Sequence, residues 1–389
     1  MNRIRLLGLL LMILTSISMS GFGPPKLVES DGGKVPLYAG QLPFVKETIP
    51  PELAGKAALI MDFSSGRVVH QRNERLRRPP ASITKIMTAI IALERSDLRE
   101  MVAIKSQYLV DGSSMGLKVG DVLSIEDLLW GMLLPSGNDA AMAIAEHVGS
   151  GSTENFVAMM NRKAKEMGLT DTHFVNPHGL HHPDHYSTAY DIAVMARYAL
   201  QNPLLAEMVS TRHKELATGY GRSWSLWSTN QLLGQPTWVP GVDGVKTGLT
   251  EEAGDNIVAS ATRDGNRVIV VALGTSARGP AGADLINYAF EAYTWVSPPA
   301  PLYAVTNRPD HLDGSAVETS GLMVPAWQSR YIIPFVAARA NGNESTGERA
   351  LVRYYLGDDR VAVVGDYSPK LVEAARRDSR AGALRSNPR

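Results

Sequence analysis

Pro79-Pro80-Ala81-Ser82-Ile83-Thr84-Lys85-Ile86-Met87-Thr88 is the stretch on which the reading of this chain turns. The two prolines break what precedes them, and apolar Ile86, Ile90 and Leu93 then recur at helical spacing, predicting a helix over Ile83 to Leu93. Ser82 stands at its start, three residues before Lys85. Residues three apart share a helical face, so the lysine amine can reach the serine hydroxyl. That hydroxyl is a poor nucleophile unless a base takes its proton. Lysine serves as the base only where burial or neighbouring cations lower its pKa, and Ile83, Ile86, Met87 and Ile90 can supply the burial. Backbone N–H groups at the helix start can also stabilise a developing oxyanion. Taken alone, the pair reads more simply as a capping serine beside a surface lysine.

Two further motifs change that balance. In Leu133-Leu134-Pro135-Ser136-Gly137-Asn138 an apolar helix delivers a small polar turn. Ser136 offers a second hydroxyl to relay a proton, and Asn138 can both donate to a substrate carbonyl and accept from a lysine. The plainer role is a cap on the apolar run from Ala140 to Val148. In Gly244-Val245-Lys246-Thr247-Gly248 a cation and a hydroxyl together suit a substrate carboxylate, while Gly248 permits close approach. The competing reading is an exposed strand lysine. Ser-x-Asn recurs at Ser228-Thr229-Asn230, in a stretch with no delivering helix, and is set aside there. His178, His181, His182, His185 and Asp184 fit no standard zinc spacing and read as a turn-rich loop lining a cleft. No metal or other cofactor is expected.

Around these motifs the chain alternates strand and helix signals. Ala57 to Asp62 is a short buried strand, turned by Ser64-Ser65-Gly66 into Arg67 to His70. Glu126 to Leu134 and Thr153 to Met167 read as helices, the latter capped by Ser152 or Thr153 and ended by Gly168. Thr188 to Leu200 reads as another, capped by Ser187. Ile257 to Thr262 and Val268 to Leu273 form a hairpin about Asp264-Gly265-Asn266. Strands at both ends with helices between predict an α+β domain whose antiparallel sheet pairs N- and C-terminal segments. Lys246-Thr247-Gly248 belongs on or beside an edge strand.

The chain has 389 residues with 39 basic and 39 acidic ones, no basic stripe and hence no sign of a nucleic-acid partner. It has no cysteine, which excludes a thiolate nucleophile, disulfides and cysteine-held metal. Arg3 and Arg5, the apolar run Leu6 to Leu14, and small Ser18 and Ser20 describe a secretory signal over residues 1–20, with an uncleaved anchor as the rival. Residues 21–53 are proline-rich and read as an extended leader, and residues 54–296 as the main domain. Ser297-Pro298-Pro299-Ala300-Pro301 reads as a linker to a small β-rich module over residues 302–367, and residues 368–389 as a flexible basic tail.

The trio Ser-x-x-Lys, Ser-x-Asn and Lys-Thr-Gly, in this order, marks penicillin-recognising serine enzymes. The contexts Pro79 to Thr88, Leu133 to Ala141, Thr172 to Leu180 (Thr-His-Phe-Val-Asn-Pro-His-Gly-Leu) and Gly241 to Gly248 closely resemble low-molecular-mass D-alanyl-D-alanine carboxypeptidases, peptidase family S11. The resemblance runs from about Ala57 to Ala292. It implies a β-lactamase/transpeptidase-like domain in an exported enzyme, at the periplasm or cell wall. The implied substrate is a peptidoglycan stem peptide ending in D-Ala-D-Ala, with β-lactams as covalent inhibitors. It further implies Ser82 as nucleophile, Lys85 as base, Ser136 as proton relay, and Asn138, Lys246, Thr247 and Gly248 as the substrate-binding set. Backbone N–H groups of Ser82 and Leu249 would form the oxyanion hole. Two departures stand out. Leu249 replaces the His or Tyr often found there, and residues 368–389 lack the sustained apolar face of a membrane-lying helix, which puts membrane association in doubt. A class A β-lactamase is the rival enzyme, but Gly137 stands where its Asp would be and no convincing loop glutamate is present. A silent wall-binding or β-lactam-binding protein would have no need of all four of Ser82, Lys85, Ser136 and Lys246. A zinc-dependent carboxypeptidase is the third alternative.

Overall fold

The computed structural model describes residues 26–30, 33–37, 51, 55–217, 222–234, 239–296, 322–326, 332–338, 350–356 and 359–367. The chain divides into two compact units, Thr48–Trp295 on the one hand, and Met1–Glu47 with Val296–Arg389 on the other. The signal segment, the linker and the basic tail lie outside the described residues.

In the larger unit five antiparallel strands form one sheet, in the order Val68–Arg72, Ala57–Asp62, Asn266–Thr275, Gly254–Arg263, Val242–Thr250. The N-terminal strand pairs with the C-terminal one, Ile60 opposite Val270, as expected of an α+β domain. Helices cover both faces, so the inner strands are apolar on both sides and Ala57–Asp62 is buried throughout. Leu59, Met61, Ile269 and Val271 pack with Ile192 and Met195 of the helix Ala189–Ala199. Arg278–Ala292 lies along the two central C-terminal strands. Each fully buried aliphatic side chain contributes roughly 1.5–3 kcal/mol, so this two-sided packing fixes the sheet and with it the outermost strand, Val242–Thr250.

The helical region is built around Lys85–Arg95, which packs on Ile125–Leu133, Asn138–Val148, Thr153–Glu166 and Ala189–Ala199. Ser124 and Asp127 close a capping box at the head of Ile125–Leu133, fixing where that helix begins and so where it delivers Ser136. Ser152 caps Thr153–Glu166 through the Asn155 N–H. One cap moves from its expected place. Thr188, not Ser187, accepts the Asp191 N–H at 3.1 Å. Ser187 is engaged elsewhere, its backbone bridging Arg78 and its hydroxyl 2.9 Å from that of Thr172.

In the other unit Lys26–Ser30 and Gly33–Leu37 pair as an antiparallel hairpin, which the proline-rich reading of the leader did not foresee. Ile332–Ala338, Ala350–Leu356 and Asp359–Tyr367 form a three-stranded antiparallel sheet.

Candidate active site

Ser82 lies in a single 3-10 turn, Ala81–Thr84, that leads directly into the helix Lys85–Arg95. Ala81 has φ +49, in the left-handed region that non-glycine residues rarely occupy. Ala81, Ile83 and Thr84 are buried, whereas Ser82 is only half-buried, so the turn presents one reachable side chain. The turn after Ile125–Leu133 is also strained, with Ser136 at φ +66. Such strain costs on the order of 1–3 kcal/mol at each position and persists only where packing over-determines the backbone, commonly at working sites.

Lys85 joins the two turns. Its side chain is fully buried, with Nζ 2.8 Å from Ser82 Oγ, 2.7 Å from Asn138 Oδ1 and 2.8 Å from the carbonyl oxygen of His178. No carboxylate touches it among the described contacts. Burial, and secondarily the charge of Lys246, push its pKa well below the ordinary lysine value, against an opposing pull from Asp139. The contacts suit a neutral amine. The amide orientation of Asn138 is fixed because its Nδ2 donates to the Asp111 carbonyl at 2.6 Å, leaving Oδ1 as an acceptor. The His178 carbonyl is also an acceptor. A neutral NH2 donates one hydrogen to each and turns its lone pair to the Ser82 hydroxyl.

Asn138 therefore spends one amide hydrogen on the Asp111 carbonyl and its oxygen on Lys85, so it positions the base more than it greets a substrate. Neither it nor Ser136 caps the following helix. Gly137 is the N-cap, and Asn138 opens the helix Asn138–Val148. Next along, buried Asp139 accepts from Ser114 Oγ at 2.5 Å and from the N–H groups of Met115, Leu117 and Ala140 at 2.9–3.1 Å. It pins the loop before Val122 over the site. Ser136 Oγ is buried with no hydrogen-bond partner among the described residues, a free hydroxyl held in a strained turn.

The third wall is the edge strand Val242–Thr250. A Cβ on Gly248 would sit 2.8 Å from the Pro80 carbonyl oxygen and 3.1 Å from Ser82 N, so the strand meets the serine turn backbone to backbone. That closeness sets the Gly248–Leu249 peptide against the Ser82 turn. Leu249 itself is exposed. Gly248→Ala is expected to lower kcat/KM about ten- to hundredfold by moving the serine turn a fraction of an ångström, with the fold retained. Steady-state kinetics beside a melting curve check this, and wild-type kinetics in that variant would contradict it.

Lys246 is buried, its Nζ 3.2 Å from the Thr247 carbonyl oxygen. Burial, and then the charge of Arg278, bring its pKa down to about 7. Arg278 lies in the first turn of Arg278–Ala292 and pairs with Asp255 at 2.7 Å. The Ser228-Thr229-Asn230 triplet, set aside in the sequence, lies here as well. Thr229 Oγ1 is 2.6 Å from Thr247 Oγ1, Thr229 N donates to the Leu134 carbonyl, and Asn230 Nδ2 donates to the Gly244 carbonyl. It ties the approach to Ser136 to the Lys246 strand. The recurrence of Ser-x-Asn shortly before Lys-Thr-Gly was the signal that could have found it.

The histidine loop lines the site through its backbone. The carbonyls of Pro177 and His178 accept from Thr88 Oγ1 and Lys85 Nζ, and Gly179, at φ +93, abuts the Ala81 carbonyl too closely for any side chain. Burial and Lys85 hold the His178 imidazole pKa down at about 3, so that ring stays neutral. His185 Nε2 lies 2.8 Å from Thr84 Oγ1 instead of facing the other histidines.

A serine turn, a buried lysine bonded to it, a second free serine and a lysine on the edge strand against that turn fit a serine enzyme of the penicillin-binding, transpeptidase-fold type. The family model for peptidase S11, D-alanyl-D-alanine carboxypeptidase, matches residues 45–277, and the chain belongs to that family. It is 34% identical over 294 residues to the D-alanyl-D-alanine carboxypeptidase DacF of Bacillus subtilis, covering 73% of this chain and 71% of that one. It is 36% identical over 270 residues to DacC of Escherichia coli, covering 64% of this chain and 65% of the relative, so about a third of DacC lies outside the match. Among solved structures it resembles penicillin-binding protein 6B from Escherichia coli, with a TM-score of 0.66 and 29% identity over 84% of this chain and 98% of that one. It also resembles the Streptomyces K15 DD-transpeptidase, with a TM-score of 0.59 and 32% identity over 63% of this chain and all of that one.

Proposed function

We propose that the protein removes the terminal D-alanine from peptidoglycan stem pentapeptides through an acyl-enzyme on Ser82, and that penicillin-type β-lactams acylate the same hydroxyl. The observation that carries this is Lys85, buried, placed 2.8 Å from Ser82 Oγ and flanked by two carbonyl acceptors. Lys85 takes the serine proton as Oγ attacks the penultimate carbonyl. The N–H groups of Ser82 and Leu249 receive the oxyanion. Ser136, with its hydroxyl free two residues before the Asn138 that holds the base, passes the proton to the leaving amine. Lys246 and Thr247 hold the carboxylate of the leaving D-alanine, with Arg278 adding positive potential. Water then hydrolyses the ester.

The export signal, the wall location, the catalytic domain at residues 54–296 and the small module after it belong to this same reading. A β-lactamase of the Ser-Asp-Asn kind is disfavoured by geometry. A Cβ at Gly137 would lie 2.7 Å from Asp139 Oδ1 and 2.8 Å from the Gly131 carbonyl oxygen, leaving no room for an aspartate. The direct test is to incubate the protein with a pentapeptide ending in D-Ala-D-Ala and measure released D-alanine. No release would refute the carboxypeptidase reading.

The charge of Lys246 sets a pH signature. In the free enzyme it loses its proton as pH rises through about 7, so kcat/KM on the free-acid peptide should fall over that range. A C-terminal amide substrate should lack this limb. Lys246→Gln should lose roughly ten- to hundredfold on the acid and much less on the amide, the worth of one charge-assisted contact. Removing the Lys246 cation also removes one cause of Lys85's depressed pKa, so the acid limb of the variant should move to higher pH. Equal losses on acid and amide would show that Lys246 serves the chemistry or the fold instead.

A further inference from the structure

The strands His213–Ala217 and Ser223–Trp227 form a small hairpin with two unlike faces. Leu216, Trp224 and Leu226 point inward and are buried. The outward face carries the cross-strand pairs His213–Trp227 and Glu215–Ser225. Trp227 is 55% exposed, although the hairpin has already buried its other tryptophan. One face of its ring stacks on His213, with centroids 4.2 Å apart and planes 25° from parallel. The Arg212 guanidinium lies over the ring at 6.0 Å from its centroid, a long side chain that a stacked ligand would have to displace or share. Beside the ring runs a closed polar triangle, with His213 Nε2 2.9 Å from Ser225 Oγ and 2.7 Å from Glu215 Oε1, and Ser225 Oγ donating to Glu215 at 2.6 Å.

A flat exposed aromatic ring edged by fixed hydroxyl, carboxylate and imidazole groups suits one ligand chemistry well. A pyranose presents an apolar C–H face to stack on the ring and equatorial hydroxyls to reach the polar edge. The hairpin is also continuous with the active site. Two residues beyond Trp227, Thr229 shares its hydrogen bond with Thr247 of the carboxylate clamp. Two extended residues span only about 7 Å, so the Trp227 end of the hairpin lies near the carboxylate side of the site. We infer that the outward face of this hairpin is a glycan-binding platform, with Trp227 as its stacking surface, that holds the sugar backbone of the wall polymer alongside the catalytic cleft. The inference rests on the peptidoglycan reading and extends it from the stem peptide to the strand that carries it.

Two measurements test it. The first compares D-alanine release from a soluble pentapeptide and from pentapeptide-rich polymeric peptidoglycan, for wild type, Trp227→Ala and Trp227→Phe. Trp227→Ala should lose about tenfold in kcat/KM on the polymer and keep its rate on the free peptide, while Trp227→Phe keeps most of both. A tryptophan that only staples the hairpin would lower both substrates together, and that result, or no loss on the polymer, overturns the inference. The second measures retention of glycan strands stripped of their peptides by the Ser82→Ala protein, with and without Trp227→Ala. Retention lost with the ring supports the platform; equal retention, or none in either protein, overturns it. Because this readout needs no catalysis, a failed carboxypeptidase reading and a failed platform give different results.

Discussion

Ser82→Ala is expected to abolish covalent labelling by penicillin-type β-lactams and to cut D-alanine release by at least about a thousandfold, since Ser82 is the hydroxyl held against the buried amine. The wild type should gain the mass of one β-lactam and no more. The structure gives the reason to expect a single reacting site. Ser136, the other serine of the cleft, is buried in its turn with no hydrogen-bond partner, whereas Ser82 is half-exposed and within reach of the amine. The substitution removes only an oxygen from a turn held by Ala81, Ile83 and Thr84, so the melting temperature should move little. Intact-mass measurement after incubation reads the adduct directly. An adduct that persists in Ser82→Ala would move the nucleophile elsewhere and break the assignment of all three motifs.

What the sequence made legible is what short-range rules control. Ser82 and Lys85 are three residues apart on a turn and helix that two prolines and an apolar period announce. The hairpins on either side of Ser64-Ser65-Gly66 and Asp264-Gly265-Asn266 close locally, and the edge position of Lys246 followed from its place before the last hairpin. What stayed hidden is set by distant packing. The His178 carbonyl that completes the Lys85 site is a backbone atom, which no side-chain pattern signals; the neighbouring imidazoles drew attention to metal chemistry instead. Thr229 looked like a chance repeat because nothing local shows that its segment folds back between Leu134 and Thr247. Arg278 gains its bearing on Lys246 only once the C-terminal helix is laid against the sheet. Asn138 reads by its chemistry as able both to accept from a lysine and to donate to a substrate. It does accept from Lys85, and the Asp111 carbonyl, arriving from a loop that no local pattern announces, claims one of its two amide hydrogens.

Lys85→Arg should be as damaging as Lys85→Ala, each slowing acylation by about a hundred- to ten-thousandfold, the range over which a positioned general base acts. Arginine puts a fixed charge where the wild type has a neutral amine, but it can still donate to Asn138 Oδ1 and the His178 carbonyl, so it removes the base while keeping donors for both acceptors. It cannot give up its proton near neutral pH, and a guanidinium facing Ser82 offers only donors. Lys85→Ala tests the opposite combination. It removes the base and leaves two buried acceptors without their donor, at a cost of about 1–3 kcal/mol for each acceptor that water does not reach. A few degrees lost in melting temperature are therefore expected for alanine, and that loss alone cannot explain a rate fallen by orders of magnitude. Stopped-flow acylation with a chromogenic β-lactam, read beside the melting curve, separates the two effects. The surviving rate in either variant should also lose the pH dependence that a neutral lysine imposes on the wild type. Near-normal acylation in Lys85→Arg would make the lysine a structural cation and send the search for the base to Ser136 and its neighbours.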